Sequence, residues 1–311
     1  KMSNVTFGAV IPYFKGEKYW PNLVKSLEGQ TMKLDQVVIV MDSPGEALPK
    51  FNISMIAKTI IVVSNRCNYG VAKSRNIGIS HITTDYIFFL DQDDYWCFNR
   101  VKLFYDKISA SNSEIVTSMY QRVNQNGKIL REMGVQSDIL SFDPNLRVSS
   151  QLLSDYNFIS ICSICIKSNI LELFKYKFKS SDDQVQITNL LKKFRPSMIH
   201  EVTCFRRFHD SNQSHSKNHL FGMLIASRYF RKSLLLNESD SYKYLSKINM
   251  TLGTESLKFE NYIKARRYFA RSLVLYRLNY KSYFGYLFSR IPFLFISFIY
   301  IKKSLNSISK D

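Results

Sequence analysis

The segment Tyr86-Ile-Phe-Phe-Leu-Asp-Gln-Asp-Asp-Tyr-Trp96 is an apolar run that breaks off abruptly into three carboxylates. Its β-branched and aromatic residues favour a buried, pleated strand. Unpaired carboxylates cannot be buried along with it, so Asp91, Asp93 and Asp94 are expected just beyond the end of the strand, facing a cleft. In open α/β sheets, ligands bind beyond the carboxyl ends of the strands. In extended conformation Asp91 and Asp93 share one face. Together with phosphate oxygens and water they suit a hard divalent cation, Mg²⁺ or Mn²⁺. The same residues also suit a purely structural role, as an acidic turn ahead of a helix near Asn99.

Around this segment, short apolar runs alternate with amphipathic stretches from Val5 to Tyr120, the pattern of βαβ units and a mostly parallel sheet. The predicted strands are Val5–Ile11, Gln36–Met41, Ile60–Ser64, Tyr86–Leu90 and Ile115–Tyr120. Helical spacing marks Tyr19–Glu28, Val71–Ser80 and Asn99–Ala110. The region from Asn124 to Thr203 is less regular and holds Ser180-Ser181-Asp182-Asp183, which suits a helix N-terminus. Beyond Leu220 strand signals vanish, and apolar residues recur in steps of three and four. The predicted fold class is therefore α/β, with a catalytic domain over residues 1–219 and a helical region over 220–311.

With 45% apolar residues in a chain of 311, a folded protein is expected and disorder is excluded. The formal net charge of +18 predicts attraction to anionic partners. Nucleic acid is not among those expected, because zinc-finger spacing, an RNP pattern and a heptad-linked basic region are all lacking. Cys162 and Cys165 have C-x-x-C spacing, but they sit in an apolar run with no second cysteine pair, so they read as buried strand residues rather than as a zinc site. The sequence opens with no signal-peptide pattern, which predicts a cytoplasmic protein. The apolar run Ile291–Ile301 is shorter than the roughly 20 residues that cross a bilayer.

In their order along the chain, these motifs resemble glycosyltransferase family 2, whose members adopt the GT-A fold and transfer sugars from nucleotide donors. The resemblance covers Val5 to Ser214. Val10-Ile-Pro-Tyr-Phe14 is similar to the opening strand beside the nucleotide base, which implies donor contacts for Pro12 and Tyr13. Val37-Val-Ile-Val-Met-Asp-Ser43 implies that Asp42 contacts the base, although Met41 replaces one of the family's paired acidic residues. Asn68-Tyr-Gly-Val-Ala-Lys-Ser-Arg-Asn-Ile-Gly78 implies that Arg75 lies near the nucleotide. Leu90-Asp-Gln-Asp-Asp-Tyr-Trp96 resembles a form found in bacterial members that build surface polysaccharides of the O-antigen or capsule type. It implies donor contacts for Asp91, Gln92 and Trp96, a metal ligand in Asp93 and a turn shaped by Asp94. Ordinary core packing is the alternative for Trp96.

Asp182-Asp183 resembles the family's acidic pair, whose second member takes the acceptor's proton. That makes Asp183 the expected base, with Asp182 as the alternative and helix capping as the structural reading of both. Phe205-Arg-Arg-Phe-His-Asp-Ser-Asn-Gln-Ser214 resembles a stretch that turns Arg207 and His209 toward the diphosphate or metal, and a neutral imidazole suits Mn²⁺. The resemblance thus implies an inverting, metal-dependent transferase acting from a UDP-sugar onto a glycan acceptor.

In the C-terminal region Lys264, Arg266, Arg267 and Arg271 interleave with Tyr262, Phe269, Tyr276 and Tyr280, followed by the apolar Phe293–Ile301 and by Lys302 and Lys303. Such helices can lie against an anionic membrane surface. That contact predicts a lipid-linked acceptor and a peripheral location on the inner face of the cell membrane. The alternative is a TPR-like hairpin packed with its basic face in solvent. A nucleotidyltransferase would need a glycine-rich phosphate loop, for which Pro12-Tyr-Phe-Lys-Gly16 offers little. A helical-repeat scaffold would have no need of Asp42, Asp91, Asp93 and Asp183.

Overall fold

The computed structural model describes residues 5–51, 53–133, 137–154, 158–174, 181–209, 217–233, 235–258 and 260–290. They fall into two compact units divided between Gly222 and Met223.

The first unit is built on one sheet, ordered β3-β2-β1-β4-β8-β6-β9-β5, with β7 paired to β6. Its first half follows the βαβ pattern. β1 (Phe7–Tyr13) leads through α1 (Trp20–Glu28) to β2 (Leu34–Met41), then through the short α2 (Ile53–Ile56) to β3 (Ala57–Ser64), and through α3 (Val71–His81) to β4 (Tyr86–Phe89). These strands pair in parallel. β1 is buried along its whole length because both of its faces are covered. The pleat sends Ala9, Ile11, Phe88 and Leu90 to one core and Val10, Ile87 and Phe89 to the other.

The second half departs from the expectation of a mostly parallel sheet. β5 (Tyr95–Trp96), α4 (Arg100–Ser111), β6 (Ile115–Asn124), β7 (Ile129–Met133), α5 (Pro144–Leu153), β8 (Ile164–Lys167), α6 (Asp182–Lys193) and β9 (Ser197–Phe208) follow in order. β8 inserts antiparallel between β4 and β6, and β5 runs antiparallel to β9. Only β6 and β9 are parallel here. The sheet is therefore mixed, and the antiparallel β5–β9 pair brings the end of β9 back beside the Asp91–Asp94 turn.

Cys162 and Cys165 are buried as expected, and the Cys204 thiol lies 3.8 Å from that of Cys162. Trp96 and the fully buried Arg100 lie in the same core, the guanidinium centred 5.0 Å from the Trp96 ring and donating to the Cys162 carbonyl.

α7 (Lys217–Lys232) contains the division between the units. In the second unit, α8 (Glu238–Lys258), α9 (Tyr262–Leu275) and α10 (Tyr280–Arg290) pack around Phe269. A side chain at Gly253 or at Gly285 would strike the Phe269 ring, at 2.8 and 2.3 Å, so these glycines are what let the three helices close on it. Phe269 thus belongs to a helical core and not to a surface stripe. Lys264, Arg266, Arg267 and Arg271 are exposed, as are Val274, Leu278, Tyr280 and Phe284. Among the described residues no helix is long and apolar enough to cross a membrane. Phe293–Ile301, Lys302 and Lys303 lie outside the described residues.

Candidate active site

The strand β4 ends at Phe89, and the carboxylates that follow do not continue it. The Asp94 amide donates to the Asp91 carbonyl at 3.0 Å, which closes a turn. Asp91 and Asp93 therefore do not share one extended face. Each is held by a different part of the protein.

Asp91 reaches α3, where Arg75 Nη2 donates to its Oδ1 at 2.6 Å. The Nη1 of the same guanidinium lies 3.3 Å from Asp182 Oδ2, at the start of α6. Arg75 is buried and is held firmly protonated by Asp91, Asp182 and Asp183 against the effect of its burial. Asp182 is only 1% exposed, and burial pushes its carboxyl up to about 7, Arg75 opposing and Asp183 reinforcing the rise. Asp183 is half-buried, and its Oδ1 accepts from the Gln184 amide at 2.7 Å. Of the acidic pair, Asp182 is thus committed to Arg75, while Asp183 is the one open to solvent. Both stand in the first turn of α6, whose N-terminus favours carboxylates.

Asp93 reaches the end of β9, where its Oδ2 lies 2.9 Å from His209 Nε2, the two side chains 20% and 12% exposed. His209 also stacks on Tyr19, ring centres 5.1 Å apart. One carboxylate oxygen and one imidazole nitrogen, adjacent and accessible, fit a divalent ion such as Mn²⁺ that takes its remaining ligands from phosphate and water. No cluster of three or more side-chain donors occurs among the described residues, so such an ion would depend on the nucleotide to complete its shell. Asp94 is buried, with its Oδ1 accepting from the Arg207 amide at 2.9 Å, and burial together with Asp93 pushes its carboxyl well above the usual range.

Asp42, the residue just after β2, is an internal anchor. Its Oδ1 accepts from Asn65 Nδ2 at 2.8 Å and from the Tyr69 amide at 2.7 Å, and its Oδ2 accepts from the Gly70 amide at 2.8 Å. Gly70 has φ +84°, which lets its amide face the carboxylate immediately before α3 begins. Asp42 therefore fixes the entry of the helix that carries Arg75.

Several residues expected to touch the donor are placed elsewhere. Trp96 is 1% exposed and packs on Phe88 at 5.1 Å, because its short strand pairs with β9 on the core side. Pro12 and Tyr13 are sealed inside β1, paired in register with Val40 and Met41, and the Tyr13 ring meets Trp20 edge-on. The Gln92 amide clasps the backbone of Phe14, accepting from its N–H and donating to its carbonyl at 2.6 Å, so it shapes the loop after β1. Arg207 is buried, and its guanidinium donates to the carbonyls of Asp93 and Gln125 at 3.0 and 2.8 Å, a latch rather than a diphosphate contact. Asn212 and Ser214 lie outside the described residues. Asn65, which donates to Asp42, and Tyr19, which stacks on His209, carry no motif. They are single residues in loops, and nothing in their spacing marks them.

The sheet, the flanking helices and the carboxylate turn at the end of β4 define a GT-A α/β fold. The chain is similar to the crystal structure of S. aureus TarS, with a TM-score of 0.58 at 16% identity over 92% of this chain and 55% of TarS. It is likewise similar to TarS 1–349 in complex with UDP-GlcNAc, with a TM-score of 0.55 at 16% identity over 92% of this chain and 90% of the other. Residues 9–169 match the model of glycosyl transferase family 2, and the chain belongs to that family. It is 25% identical over 240 residues to an uncharacterized glycosyltransferase of Methanocaldococcus jannaschii, covering 67% of this chain and 80% of the relative. It is 27% identical over 120 residues to glycosyltransferase GlyA of Streptococcus pneumoniae, covering 37% of this chain and 17% of GlyA. It spans only 18% of the length of an uncharacterized glycosyltransferase of Rickettsia bellii.

Proposed function

We propose that the chain transfers a sugar from a nucleotide-sugar donor, a UDP-sugar, to a hydroxyl of a glycan acceptor with inversion at the anomeric carbon. The observation that carries this reading is the Arg75 tie, which holds Asp91 of the β4 turn against the start of the helix bearing Asp183. A donor-side carboxylate and an accessible base are thereby fixed in one rigid unit. TarS 1–349 has been crystallised with UDP and with UDP-GlcNAc, which supports a uridine nucleotide donor here.

In this mechanism the acceptor oxygen attacks the anomeric carbon as the bond to the diphosphate breaks. Asp183 takes the acceptor's proton, and the nucleoside diphosphate leaves. Asp93 and His209 would hold a divalent ion, which would supply positive charge to offset that growing on the departing diphosphate. Asp182 and Arg75 do not react. They hold Asp183 and Asp91 in register. The exposed basic and aromatic residues of α9 and α10 support contact with an anionic membrane, a lipid-linked acceptor and a role in surface polysaccharide synthesis. Transfer assays with a panel of UDP-sugars, run with wild type and Asp183→Asn, test the reading. Wild type inactive toward every donor would overturn it.

A further inference from the structure

Arg206 and Arg207 are neighbours on β9, and the pleat of the strand sends their side chains to opposite faces. Arg207 turns to the Asp93 carbonyl, and His209 turns to the Asp93 carboxylate. Arg206 faces the other way. It sits opposite Arg122 of β6, half-buried, with its guanidinium 5.5 Å over the Phe208 ring.

No described residue accepts a hydrogen bond from that guanidinium. Its electrostatic neighbours are the Tyr120 hydroxyl, the Cys162 thiol and the Asp94 and Asp183 carboxylates. Burial favours the neutral form of Tyr120, pushing its hydroxyl up to about 12. A half-buried guanidinium with five N–H donors and no acceptor is costly unless a ligand supplies one. Phosphate and carboxylate match its fork with two parallel bonds.

We propose that Arg206 is a specificity-determining residue that receives an oxyanion, phosphate or carboxylate, carried by the acceptor close to the hydroxyl that Asp183 deprotonates. The assignment to the acceptor rests on the reading of Asp183 as the base. The donor's diphosphate belongs on the opposite side of β9, where Asp93 and His209 lie. An acceptor with an anionic group beside its reacting hydroxyl is bound with that hydroxyl turned to Asp183, and a neutral one loses this anchor.

The test is NMR of the arginine Nε–Hε groups in the full chain with Mg²⁺, the Arg206 signal being identified by its loss in Arg206→Lys. Inorganic phosphate added to the UDP-saturated chain is expected to shift the Arg206 signal saturably. In Arg206→Gln the dissociation constant for phosphate, read from amide shifts around Asp183, should rise at least about tenfold. UDP alone should leave the Arg206 signal in place. A shift with UDP alone and none with phosphate would assign Arg206 to the donor and overturn the proposal, as would no shift with either. Failure of the chain to bind UDP while phosphate still moves the Arg206 signal would count against the UDP-donor reading and not against this one.

Discussion

Arg75 and Asp91 form the shortest ion pair of the site, 2.6 Å from Nη2 to Oδ1, and the same guanidinium holds Asp182 from its other side. One cation on α3 thus joins the turn after β4 to the first residue of α6. Removing it leaves carboxylates without their partner in a buried setting. Arg75→Met is expected to cost about 3–5 kcal/mol of stability by urea unfolding. Arg75→Lys, which keeps the charge but not the fork, should stay folded and lose turnover more than donor affinity. Unchanged turnover in Arg75→Lys would show that the tie does not position the base.

Asp183→Asn should leave donor binding close to wild type and lower kcat by about two to four orders of magnitude, the usual worth of a positioned general base. Asp182→Asn keeps the shape of the buried site and should reduce turnover less. The reverse order of effects would move the base to Asp182.

Asp93→Ala is expected to abolish transfer, and His209→Ala to weaken Mn²⁺ binding in the presence of UDP by about tenfold or more. EDTA should silence the wild type, with recovery on adding the ion back. Full activity in EDTA would exclude the metal reading.

The raised carboxyl of Asp182 carries a pH signature. A carboxyl pushed from 3.8 to about 7 on folding stabilises the native state fully at acid pH, and that contribution is lost as pH rises through about 7. Arg75 opposes the shift, while Asp183 and Asp91 reinforce it. Urea unfolding between pH 5 and 8 should therefore show wild type losing stability toward pH 8 relative to Asp182→Asn, which cannot titrate. Parallel curves for the two proteins would mean that Asp182 stays ionised throughout.

Reversing Lys264, Arg266, Arg267 and Arg271 to glutamate should weaken binding to anionic vesicles, each contact being worth about 1 kcal/mol near the surface. Salt should weaken the wild type's binding as well, since screening acts over about 8 Å at physiological ionic strength. All four side chains are exposed, so the variant should fold. Equal vesicle binding by variant and wild type would end the membrane reading.

Local chemistry was enough to determine where β1 to β4, α1 and α3 lie, that carboxylates stand just beyond the apolar strand at Tyr86, and that Asp182 and Asp183 open a helix. Apolar periodicity and the cost of burying charge act within a few residues, and sequence displays both directly. The partners of those carboxylates were decided only by the tertiary structure. Asp42 pairs with residues 23 to 28 positions away, Arg75 with one 107 away, and Asp93 with His209 116 away. The same long-range packing turned Trp96 into the core and spent Gln92 on a backbone and Arg207 on carbonyls, although all three stand in motifs that read as functional. It also separated Arg206 from Arg207, which look equivalent in the sequence. Which face of β9 meets Asp93 is set by the antiparallel pairing of β5 with β9, and that pairing closes a chain segment of more than a hundred residues that no local pattern records.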